Sequence, residues 1–141
     1  MKQNVVLSIL GRQSYLEQDP EELELVTEGT LEDKGDHWEL CYEESELTGM
    51  AGVTTTFLIE PNKITLKRSG KLNSQMVFQE GVTHESLYEM EFGTILLSVC
   101  ASRVMADIYP DGGMIDLIYN IDLDQTASGT IDYHLDIRPK Y

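Results

Sequence analysis

Four residue types that can do chemistry stand at telling positions in the chain: the carboxyl of Glu44, the guanidinium of Arg68, the imidazole of His84 and the phenol of Tyr88. Glu44, His84 and Tyr88 could exchange protons, but no spacing sets a nucleophile beside a base and that base's orienting partner. No catalytic residue is assigned, and the expectation is a non-enzymatic protein. Arg68 says most. In a chain with 10 Lys plus Arg, 25 Asp plus Glu and a formal charge of −15, an inward guanidinium requires a carboxylate partner, a bound anion or a place at the rim. Glu44 and Glu80 are the candidate partners, and a ligand is the competing explanation.

The elements that must position these groups are strands. Gly and Pro punctuate the chain at short intervals, and the segments between them alternate with period two. Ile115, Leu117, Tyr119, Ile121 and Leu123 alternate with Asp116, Ile118, Asn120, Asp122 and Asp124, and Ile131, Tyr133, Leu135 and Ile137 oppose Asp132, His134, Asp136 and Arg138. The same rule predicts strands at 5–16, 22–33, 36–46, 52–60, 63–69, 73–80, 83–92, 95–109, 113–123 and 129–138. The segment 21–28 has some helical propensity, but Leu23 and Leu25 keep strand spacing. Short turns such as 33–36 and 61–62 build a meander, and closing it removes exposed edges. The expectation is a single all-β domain over residues 1–141, an antiparallel up-and-down β-barrel of about ten strands.

Parity then assigns an interior. Trp38, Leu40 and Tyr42 lead on to Glu44; Ile64 and Leu66 lead on to Arg68; Met76 and Phe78 share a side with Ser74 and Glu80. Glu85, Glu89 and Glu91 mark a wet side, so His84, Ser86, Tyr88, Met90 and Phe92 face inward. Apolar walls interrupted by a few polar groups are how many small-molecule sites are built. The candidate ligand-binding residues are Arg68, Tyr88, His84, Glu44, Trp38, Tyr42, Phe78 and Phe92. Against this stands a filled barrel whose interior polar groups simply pair with one another.

Other classes are disfavoured. The negative charge repels phosphate backbones and anionic membranes, so neither nucleic acid nor membrane is an expected partner. A basic protein that meets the acidic exterior is the alternative to a small ligand. Val5 to Leu10 is too short for a secretory leader, and no run approaches the roughly 18 apolar residues of a spanning helix. Cys41 and Cys100 lack metal-ligand spacing and read as reduced thiols of a cytoplasmic protein. Asp116, Asn120, Asp122, Asp132, His134 and Asp136 read as a solvated acidic face. No metal or cofactor is indicated, and the oligomeric state is open.

One resemblance covers nearly the whole chain. Tyr42 to Gly49, Thr54-Thr55-Thr56, Lys67-Arg68-Ser69-Gly70, Met76-Val77-Phe78, His84, Tyr88, Phe92-Gly93 and Gly113 leading to Tyr119 resemble the YwiB-like family of small bacterial calycin-type, lipocalin-like barrels of uncharacterised function. The resemblance implies a cytoplasmic ten-stranded barrel and carries over no catalytic residue, cofactor or ligand. Larger calycin relatives, the fatty-acid-binding proteins and lipocalins, hold a carboxylate with an inward Arg and Tyr. Here Glu44 or Glu80 could neutralise that Arg, and no helical lid is evident between the first two strands.

Overall fold

Alternating burial carries the chain through ten antiparallel strands in a computed structural model that describes residues 2–15, 21–44, 51–70, 73–90, 93–110, 112–123 and 127–140, with backbone alone at 14, 15, 21, 88–90, 123, 127 and 128. The strands are β1 (Lys2–Tyr15), β2 (Glu21–Asp33), β3 (Trp38–Glu43), β4 (Val53–Glu60), β5 (Lys63–Gly70), β6 (Ser74–Phe78), β7 (Thr83–Met90), β8 (Gly93–Tyr109), β9 (Gly112–Leu123) and β10 (Ala127–Pro139). Residues 21–28 lie in β2, so strand spacing prevails over helical propensity there. Among the described residues, no helix is long and apolar enough to cross a membrane.

The sheet runs β6-β5-β4-β3-β2-β1-β10-β9-β8-β7, a meander whose first strand pairs with its last. No ladder joins its terminal strands, β6 and β7, among the described residues. Side chains and a turn draw them together instead. Ser86 Oγ donates to the Gln75 carbonyl at 2.5 Å, His84 Nε2 lies 3.2 Å from Gln79 Oε1, and the Gly81 N–H donates to the Ala101 carbonyl at 3.0 Å. The barrel is nearly closed.

Inside, one contiguous core runs from Val5 and Leu7 through Leu40, Phe57, Phe78, Leu97 and Leu117 to Leu135. The parity of β8 changes midway. Leu97, Val99 and Ala101 are buried, a register shift follows between Ala101 and Arg103, and Val104 and Ile108 then pack on the core. One extra residue turns the second half of a long strand over, and both halves keep an apolar side inward.

Glu80, expected inward with Met76 and Phe78, is exposed. β6 ends at Phe78, so strand parity no longer applies, and the Glu80 carboxylate accepts the Val104 N–H at 2.9 Å. Backbone approach is tightest where β9 begins. Gly113 has φ +145°, and a Cβ there would lie 2.2 Å from the Asp107 carbonyl oxygen, which calls for glycine on both counts. Gly113→Ala should therefore lower stability by about 2 kcal/mol, read as a lower urea midpoint at unchanged slope.

Candidate functional site

The register of the ladders sorts the inward side chains of β2 to β6 into three rows that cross five strands. Asp33, Trp38, Ile59, Ile64 and Phe78 are successive partners in the lowest, and Leu31, Leu40, Phe57, Leu66 and Met76 in the middle. The upper row is Gly29, Tyr42, Thr55, Arg68 and Ser74. Two rows are almost wholly apolar. The third gathers a phenol, two hydroxyls and a guanidinium at one end of the barrel.

Two residues complete the upper row. Glu44 follows Tyr42 at an interval of two, its backbone tied down by the bond from its N–H to the Val53 carbonyl at 2.9 Å. Its side chain is only 1% exposed. Its Oε2 accepts a hydrogen bond from Thr55 Oγ1 at 3.0 Å and lies 4.0 Å from Arg68 Nε. The charges attract at that separation, but it is too long for a hydrogen bond. Tyr133, from β10, packs its ring on Phe57 with centroids 6.0 Å apart. Two polar atoms buried in this cluster, Arg68 Nε and Ser74 Oγ, have no hydrogen-bond partner in the protein, whereas the Tyr133 hydroxyl interacts with that of Tyr42. Buried polar atoms are ordinarily satisfied, so two on neighbouring strands call for an explanation.

Burial, and then the neighbouring Glu44 carboxylate, push the Tyr42 phenol up to about 12; Tyr133, Arg68 and Thr55 oppose that shift. Tyr133 is raised well above the ordinary phenol value, first by burial and then by Tyr42, with Arg68 again opposing. The mutual influence places both phenols within electrostatic reach of the guanidinium.

Among the described residues, β2 pairs with β3 from Gly29 onward, and its earlier residues pair with β1. An open cleft of about 580 Å³ lies at this end of the β2–β3 ladder, lined by Thr27, Glu28, Gly29, Cys41, Tyr42 and Glu43 among others. Gly29 is needed at the junction, because a Cβ there would lie 2.5 Å from the Cys41 carbonyl oxygen and 3.2 Å from Tyr42 Cβ.

The structure brings together three of the residues predicted from sequence: Glu44, Arg68 and Tyr42. Trp38 and Phe78 face inward but stand four residues from the upper row along their strands, roughly 13 Å away. Phe78 is fully buried against Tyr119, ring centroids 4.5 Å apart. His84 is half-buried and meets Gln79 at the β6–β7 seam. The Tyr88 side chain and the whole of Phe92 lie outside the described residues. Thr55, Ser74 and Tyr133 join the cluster without having been singled out as site residues. On the exterior, Asp116 pairs with Arg103 at 2.9 Å, and no group of three or more His, Cys, Asp or Glu is set to hold a metal among the described residues. Cys41 and Cys100 are free.

A nearly closed, ten-stranded antiparallel barrel with a polar inner row at one end is the class these features define. The chain belongs to the DUF1934 family, a domain of unknown function that matches residues 7–137. Its fold is that of the crystal structure of the ywiB protein from Bacillus subtilis, with a TM-score of 0.88 at 18% sequence identity, over 99% of this chain and 94% of that one. Among curated proteins nothing matches it.

Raised phenol pKa values make stability depend on alkaline pH. A phenol that is harder to ionise when folded contributes stability in full below the unfolded value near 10. That contribution is lost as pH rises through the folded value, about 12 for Tyr42. Stability should fall between about pH 10 and 12, and a 295 nm titration should show Tyr42 and Tyr133 ionising last. The double variant Tyr42→Phe, Tyr133→Phe should lose most of that slope.

Proposed function

We propose that this chain is a non-enzymatic binding barrel that holds a small, polar, uncharged organic molecule against Tyr42, Thr55, Arg68 and Ser74. The supporting observation is that buried Arg68 Nε and Ser74 Oγ, on register partners of β5 and β6, are each without a protein partner. A ligand that supplies acceptors to these groups relieves a penalty of about 1–3 kcal/mol per unsatisfied atom. An open cleft that Tyr42 also lines lies beside this row.

Charge and volume narrow the ligand class. Glu44 lies 4.0 Å from Arg68 and offsets its charge, so an anion would gain little. An acyl chain would have to run down the axis, where Leu40, Phe57, Phe78 and Leu117 are at most 1% exposed and already pack the interior. Free thiols at Cys41 and Cys100 support a reducing, cytoplasmic location.

Native mass spectrometry joined to a thermal-shift screen of polyols, small amides and short fatty acids tests the reading. A polar neutral compound should remain bound and raise Tm by several degrees near saturation, whereas fatty acids should do neither. Arg68→Met and Tyr133→Phe should fold and lose the shift. Absence of any bound mass or shift overturns the proposal, as does an Arg68→Met variant that gains stability and binds as before.

A second reading, docking of a basic protein, is favoured by Asp122, Asp132 and Asp136, which stand exposed on the outer faces of β9 and β10. It requires association with a polycation, with polylysine as the probe, that disappears as salt rises.

A further inference from the structure

Nine backbone ladders run round the barrel, and the shortest of them join five residue pairs. The joint between β6 and β7 is of another kind, since no ladder crosses it among the described residues. β6 takes its backbone partners from β5, and β7 takes its own from β8. Parting two paired strands breaks a run of backbone hydrogen bonds, so a joint without a ladder gives way first.

The two ends of this seam are held unequally. At the Phe78 end the chain passes from β6 into β7 through residues 79–82, and that connector is pinned several times over. The Val82 N–H donates to the Gln79 carbonyl at 3.1 Å, and the Gly81 N–H donates to the Ala101 carbonyl at 3.0 Å. The Glu80 backbone bridges to Ala101, and its carboxylate accepts the Val104 N–H at 2.9 Å. His84 meets Gln79 across the same end. At the other end, among the described residues, the bond from Ser86 Oγ to the Gln75 carbonyl crosses the seam alone. Gln75 is the neighbour of Ser74, which is 8% exposed and faces Arg68 in the ladder with β5. The loosely held end is therefore the end that carries the polar row.

We infer that the seam swings open from its Ser74 end, with residues 79–82 as the hinge, and that a small uncharged molecule reaches Ser74 and Arg68 through the gap. The entry step rests on the binding reading given above, whereas the opening does not. Ser86 is the latch: its hydroxyl is released when β6 and β7 part, and water takes its place at the Gln75 carbonyl. Met76 and Phe78 lie nearer the hinge, 5% and 0% exposed, and hold the lower part of the seam against the core while the upper part moves.

Ser74→Cys in the full chain, with Cys41→Ser and Cys100→Ser, reports the opening through alkylation by iodoacetamide, itself a small, polar, uncharged molecule. The new thiol should react far more slowly than in the urea-unfolded chain, and its rate should change little at low urea, because a hinge exposes little surface. Adding Ser86→Ala should raise the rate about fivefold, the worth of one hydrogen bond. Ile137→Val, at a buried position on β10, controls for a general loss of stability and should leave the low-urea rate nearly unchanged. If Ser74→Cys does not fold, Met76→Cys on the same inward face carries the test. A rate that climbs with urea along the unfolding curve overturns the inference, as does a Ser86→Ala effect no larger than that of Ile137→Val. A thiol that reacts as fast as in the unfolded chain also overturns it, since the row is then open without any movement. Alkylation needs no bound ligand, so a seam that stays shut and a screen that finds no ligand are separate results.

Discussion

Backbone pairing from β2 to β6 keeps one register across five strands, and that register decides which side chains meet. A slip of one residue in any of these strands would send its whole inward set to the other face. The upper row exists only because all four ladders agree. Tyr42, Thr55, Arg68 and Ser74 are separated by 13, 13 and 6 positions in sequence, and nothing but pairing makes them neighbours. The apolar rows beneath enforce the agreement, since each strand that contributes to the upper row also contributes to them.

Those rows also explain how the polar row is tolerated. A fully buried Leu, Ile or Phe contributes about 1.5–3 kcal/mol, and Leu40, Phe57, Ile64 and Phe78 are all completely buried. A buried polar atom without a partner costs about 1–3 kcal/mol. Two apolar rows therefore outweigh the penalty of the third, and the barrel can keep Arg68 Nε and Ser74 Oγ unsatisfied without losing its fold. Such a cluster is stable as part of this core and would not be stable as its foundation.

Much of the fold was legible in the sequence because alternation is a local signal. It located ten strands and turned Glu44, Arg68 and Tyr42 inward. It failed where local regularity stops. Glu80 continues the parity of Met76 and Phe78 on paper, but β6 has ended by then and the carboxylate caps Val104 instead. In β8 the bulge reverses parity after Ala101. Row membership was harder to see, because it depends on register between strands. Trp38 and Phe78 therefore looked like neighbours of Tyr42 and Arg68 and stand two rows below them. Thr55 and Tyr133 did leave a trace: each is a polar-tipped residue on an otherwise apolar parity, between Val53 and Phe57 and between Ile131 and Leu135. Following the inward set on every strand would have exposed both.

The cleft and the polar row arise at the same residue. Gly29 is the last partner β2 offers to β3, and it heads the row that continues through Tyr42. Its missing side chain lets the strands close onto each other, with the Cys41 carbonyl 2.5 Å from where a Cβ would stand. Beyond that contact, among the described residues, β2 pairs with β1 alone. Any larger residue at 29 would push β3 away at the point where the ladder already ends. It would displace the Tyr42 backbone while widening the gap beside it. The cleft and the alignment of the row therefore meet at this one residue, and neither can be altered there without the other.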